Sequence, residues 1–84
     1  MTKNDLNALE TTICLFIESE YSTGSVTPKD ALYNEGVNSL DKAELAMALD
    51  EKFDIFLPDD VDRSWKTVGD VIETVRKELE DAGN

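Results

Sequence analysis

The stretch Thr67-Val68-Gly69-Asp70, followed by Val71, Ile72, Val75 and Leu79, constrains the fold of this chain more than any other. Thr67 and Asp70 stand three apart, the spacing at which a hydroxyl cap and an acid exchange bonds with each other's backbone amides. The apolar residues after them recur at the helical period and show no strand-like alternation. Arg76 and Lys77 fall in later turns, where cations suit the helix dipole. A helix starting here carries one apolar stripe, which it must bury against other helices.

Two further stripes supply those partners. Leu6, Leu9, Ile13, Phe16 and Ile17, with Tyr21 at the end, predict a helix from about residue 4 to 20. Thr2 or Asn4 would cap it, with Asp5 in its first turn. Leu15 falls on the opposite side, and Cys14 at the stripe's border reads as a packing residue, since acidic surroundings disfavour a thiolate. A helix is also predicted from Ser39 to Phe53, with Leu45, Leu49 and Phe53 stacked towards the core and Ala46 and Ala48 beside them. A short helical turn is expected at Val61 to Trp65. Residues 22 to 38, marked by Gly24, Pro28 and Gly36, form a long irregular segment that Ala31, Leu32 and Tyr33 should anchor. The expected fold is all-α: a small four-helix bundle of three main helices and one short one, with a long loop between the first two. At 84 residues, the chain is expected to be one domain, residues 1–84, with a single small core.

Composition narrows the function. Nineteen Asp and Glu against eight Lys and Arg give a net charge of −11, which repels nucleic acid and anionic lipid and attracts basic protein surfaces. The same self-repulsion predicts greater stability in salt. With no histidine and one cysteine, the chain holds neither a disulfide, nor a credible zinc site, nor a histidine-activated nucleophile. No catalytic residue and no metal is therefore expected. No apolar run approaches membrane-spanning length and no signal region opens the chain, so a cytoplasmic location is expected. The Asp59-Asp60-Val61-Asp62 run lacks the glycine and spacing of a calcium loop.

The second helix is the unusual one. Leu40 and Met47 fall on its far side, bordered by Glu44, Asp50 and Glu51. A second apolar stripe ringed with acids suits a docking strip, its centre supplying contact area and its rim steering. The alternative is that both residues touch other parts of the same domain. Ser39 opens this helix behind Asn38, a strong capping residue type. Free amides and the dipole at such an end favour an anion, for example a phosphodiester on the serine hydroxyl. By composition alone, a serine here is more often simply a helix-start residue.

The run Asn38-Ser39-Leu40-Asp41, then Glu44-Leu45, Met47-Ala48-Leu49, Glu51-Lys52-Phe53-Asp54 and Leu57-Pro58-Asp59, resembles the acyl carrier protein family. The resemblance covers residues 30 to 76 closely and the first helix more loosely. It implies that Ser39 receives 4′-phosphopantetheine from a carrier-protein synthase, a transferase drawing on coenzyme A, and that acyl groups are held as thioesters on the arm's thiol. It implies that Asn38, Leu40, Asp41, Glu44, Met47, Asp50, Glu51 and Leu57 face partners: the transferase and acyl-loading and acyl-transfer enzymes with basic docking patches, in fatty-acid, lipid or polyketide pathways. It implies a monomer that is not itself an enzyme. Asn38 departs from the family's usual Asp, Glu35 from a usual apolar residue, and Trp65 from a smaller aliphatic one, which together suggest a specialised carrier. An aminoacyl or peptidyl carrier, and an unmodified acidic interaction module, are the alternatives.

Overall fold

The computed structural model describes residues 3–21, 24–32, 36–58 and 60–82. Helix α1 spans Lys3–Tyr21, α2 Ser39–Phe53 and α3 Val68–Ala82, with a 3₁₀ turn at Val61–Ser64 before α3. The expected all-α arrangement of three main helices and one short helical element is what forms. Of the two cap candidates for α1, Thr2 lies outside the described residues and Asn4 falls within the helix, while Asp5 occupies the first turn as expected.

The stripes meet in one core. Leu9, Ile13 and Ile17 of α1, Leu45 and Leu49 of α2, and Val68, Val71, Ile72 and Val75 of α3 are all buried in it. Phe16, Phe53, Ala46 and Leu79 pack around its edge, half-buried. Trp65 is wholly buried, and its indole N–H donates to Thr74 Oγ1 at 3.0 Å, so the large ring is held in one orientation with its polar atom satisfied. Its bulk is core filling.

The long segment between α1 and α2 is held more firmly than its irregularity suggests. Leu32 anchors it in the core, as expected, but so do Val26 and Val37, which the periodicity did not single out. Tyr33 and Glu35 lie outside the described residues. The Leu32 amide donates to Lys66 O at 2.9 Å, and Val37 N–H returns to Leu32 O at 3.1 Å. Ala31 and Thr67 form an isolated antiparallel bridge.

That segment also caps α3. Val68 N–H donates to Asp30 O at 2.9 Å and Gly69 N–H to Pro28 O at 2.8 Å. Asp70 N–H bonds Thr67 Oγ1 at 3.2 Å, while Asp70 Oδ2 accepts from the amides of Thr67 (3.0 Å) and Lys66 (2.9 Å). The predicted capping box therefore forms, and it gains a third amide. Gly69 is required by this closeness: a Cβ there would stand 2.9 Å from Pro28 O. Arg76 bridges Glu73 and Glu80, so it stabilises α3 along its side through i,i+3 and i,i+4 pairs more than through the dipole.

The amides of Lys66 and Thr67, first among the causes, hold the Asp70 carboxyl below the usual carboxylate range. The folded pKa is lower than the unfolded one, so the contribution is full above the unfolded value of about 3.9 and is lost as pH falls through the depressed folded value. Asp70→Asn should therefore cost about 0.5–1 kcal/mol near neutrality. Urea unfolding of both proteins should show that difference close as pH drops below the ordinary carboxylate range.

Candidate functional site

The start of α2 is fastened from several directions. Val37 is buried immediately before it. Asn38 follows with extended backbone, and its Oδ1 accepts from Asp41 N–H at 2.9 Å while Asp41 Oδ2 accepts from Asn38 N–H at 3.1 Å. Two amides that a helix start would otherwise leave exposed are thus satisfied reciprocally. Tyr21 of α1 donates its hydroxyl to Asp41 O at 3.1 Å, and Lys42 Nζ reaches Trp65 O at 2.7 Å. Burial first, then the carboxylates of Asp41, Glu44 and Glu20, push the Tyr21 hydroxyl up to about 12, so it stays a donor at physiological pH.

Ser39 is the first residue of this helix and is exposed. Among the described residues its hydroxyl makes no hydrogen bond, and no acceptor meets the amides of Ser39 or Leu40. The start of α3 is the opposite case, since loop carbonyls and Thr67 take its first three amides. Of these two helix starts, only α2 keeps open donors at the positive end of its dipole, next to a free hydroxyl. That combination fits a phosphate ester on Ser39 Oγ.

The far side of α2 is open. Leu40 is 69% exposed and Met47 70%, so neither is used inside the domain. The acids around them divide. Glu44 and Glu51 are exposed, whereas Asp41 and Asp50 are half-buried and bonded internally. Leu57 is half-buried against the core. With Pro58 and Asp62 it closes a groove of about 240 Å³ against Ala43, Ala46 and Met47 of α2.

The sequence family described as "Phosphopantetheine attachment site" matches residues 8–75. An acyl carrier protein of Phenylobacterium zucineum is 42% identical over 55 residues, covering 64% of this chain and 70% of the relative. One from Sulfurovum is 55% identical over 40 residues, covering 48% of this chain and about half (53%) of the relative. The chain belongs to the acyl carrier protein family. The fold agrees: the crystal structure of an acyl carrier protein from Thermotoga maritima superposes with a TM-score of 0.83 at 19% identity, over 98% of this chain and 99% of that one. The chain is accordingly an acyl carrier with a covalently attached 4′-phosphopantetheine. Carrier proteins of this family meet phosphopantetheinyl transferase and acyl-handling enzymes, and the carrier reading is favoured over an unmodified interaction module.

Two features of this carrier escaped the sequence pattern. Phe56, absent from every expected stripe, is 92% exposed. Asp50, expected to face partners, shapes the chain beyond α2. Its carbonyl accepts from the amides of Asp54 and Ile55, and its Oδ1 from Leu57 N–H at 3.0 Å. Asp54 takes a left-handed conformation (φ 54°) that turns the backbone into this arrangement. Cys14 is a buried packing residue, its thiol pushed up by burial and by the nearby carboxylates of Glu18, Glu10 and Asp30. Among the described residues no group of three or more acids or thiols is placed to hold a metal ion, and no helix is long and apolar enough to cross a membrane.

Asp50→Asn keeps an acceptor for Leu57 N–H but removes the charge, whereas Asp50→Ala removes both. Amide exchange should show Leu57 protected in the wild type and the Asn variant, and about tenfold less protected in the Ala variant, which corresponds to a typical hydrogen bond.

Proposed function

We propose that Ser39 is the residue that carries the phosphopantetheine arm, and that the chain acts as a discrete carrier without catalytic activity of its own. The observation that supports this most is the exposed Ser39 hydroxyl, unbonded among the described residues, beside the two open amides of α2. In the attachment step Ser39 Oγ forms a bond to the phosphorus of coenzyme A's pantetheine phosphate. The bond from that phosphorus to the bridging oxygen breaks, and the nucleotide leaves with that oxygen. The serine proton goes to a base on the transferase, since this chain contains no histidine. When bound, the arm supplies a terminal thiol that holds an acyl group as a thioester. The open Ser39 and Leu40 amides would face the diester's negative charge, and the Asn38–Asp41 cap keeps them in place.

The partner surface in this reading is α2 with its following loop. Leu40 and Met47 provide apolar contact, Glu44 and Glu51 provide steering charge, and Leu57 would border the arm. Asn38, Asp41 and Asp50 serve the same surface chiefly by shaping it, because their side chains are spent on internal bonds. Its partners are the transferase and acyl-transferring enzymes with basic patches. At −11 the chain repels its own copies, which favours a monomer; the one core shared by the three helices supports a single domain, and the reading includes a cytoplasmic location. Asn38 caps as Asp would but carries no charge beside the diester, so a transferase with a basic residue there should discriminate against it.

Incubation with a phosphopantetheinyl transferase and coenzyme A, followed by intact-mass measurement, should show one pantetheine phosphate added to the wild type and none to Ser39→Ala. Equal mass gain in both proteins would remove Ser39 from the role. Glu44→Lys should slow the reaction about tenfold while leaving helix content unchanged, as loss of a steering charge does.

A further inference from the structure

Phe56 has no role in the fold. It is 92% exposed, while its neighbour Ile55 is buried and Leu57 is half-buried. A phenylalanine on a loose loop would mean little, but this one is held on both sides. Asp50 binds the amides of Asp54 and Ile55 before it through its carbonyl, and that of Leu57 after it through Oδ1. The backbone either side of the ring is thereby fixed to the last turn of α2, so little backbone entropy remains to be lost when the ring is bound.

The chain next to the ring approaches the helix that Ser39 begins. Leu57, next in the chain, shares its groove with Ala43 and Met47. Ala43 stands one helical turn, about 6 Å of rise, beyond Ser39. A specific interface spans about 800 Å² on each partner, so one centred on Ser39 is wide enough to take in this groove. The charge along this stretch of sequence narrows the class of occupant. Positions 50 to 62 hold six acids (Asp50, Glu51, Asp54, Asp59, Asp60 and Asp62) and one base, Lys52. Lys52 Nζ lies 5.5 Å from the Phe16 ring centroid, over α1. A second copy would bring another −11 against this patch, and an anionic bilayer would repel it. A basic protein surface is attracted.

We infer that Phe56 is an anchor for the phosphopantetheinyl transferase, inserting into an apolar pocket ringed by Lys or Arg side chains; this rests on the proposed modification of Ser39. An aromatic ring in a desolvated pocket inside a charged rim is the usual composition of an interface hot spot. Phe56 acts by binding and not in the chemistry, so its loss removes affinity shared by the ground and transition states.

The test is steady-state kinetics of a broad-specificity transferase with coenzyme A, following intact mass, on the wild type, Phe56→Ala and Phe56→Leu. Phe56→Ala should raise KM for the carrier about tenfold with kcat nearly unchanged, and Phe56→Leu should recover part of that loss. KM for Phe56→Ala within about twofold of wild type overturns the inference while leaving Ser39 in its role. So does loss of helix content in Phe56→Ala, which would place the ring in the core. Sedimentation showing a wild-type dimer that Phe56→Ala converts to monomer would assign the ring to a second copy, and also overturns it. A wild type that gains no mass overturns the Ser39 reading and this inference together.

Discussion

The reciprocal bond between Asn38 and Asp41 is the constraint on which the functional end of this molecule depends. It starts α2 at Ser39 and satisfies the third amide of the helix, leaving the first two open. A helix beginning one residue earlier would move Ser39 to its second position and change which amides stay open beside the hydroxyl; one beginning later would leave it in the loop. Val37 in the core, Tyr21 at the Asp41 carbonyl and Lys42 at the Trp65 carbonyl prevent either shift. The cap therefore fixes where the Ser39 hydroxyl sits relative to the helix dipole, and with it the place proposed for the phosphodiester.

The two described interhelical starts are built for different ends. At α3 the loop carbonyls of Pro28 and Asp30, with Thr67, consume the amides and bind the long segment to the bundle. At α2 the corresponding amides stay open. The same contrast separates the faces of α2. Leu45 and Leu49 hold the bundle together, while Leu40 and Met47 contribute nothing to it and remain exposed. In so small a domain, exposed apolar surface with an acidic border suits the proposed binding surface.

Much of this was readable from residue spacing. The α3 stripe and its Thr67–Asp70 box, the span of α2 and the two faces of that helix follow from periodicity and capping chemistry, both of which are local. The resemblance on Asn38-Ser39-Leu40-Asp41 and Leu57-Pro58-Asp59 pointed to the family that the comparisons established. Non-local features were not readable. Val26 and Val37 are buried because backbone bonds to other segments draw them in, with no periodic pattern to mark them. Asp41 and Asp50 look like the exposed Glu44 and Glu51 in sequence, yet their shorter side chains reach nearby backbone amides. Phe56 sits in an apolar run, Ile55-Phe56-Leu57, whose inward and outward residues only the turn at Asp54 distinguishes.

The central claim is that the arm is attached at the open start of α2. Fragmentation mass spectrometry of the modified chain tests it most directly, because serines also occur at positions 19, 22, 25 and 64. The pantetheine phosphate should be found on the fragment containing Ser39 and on no other. Its appearance on any of the other serines, or its spread among several, would contradict the account.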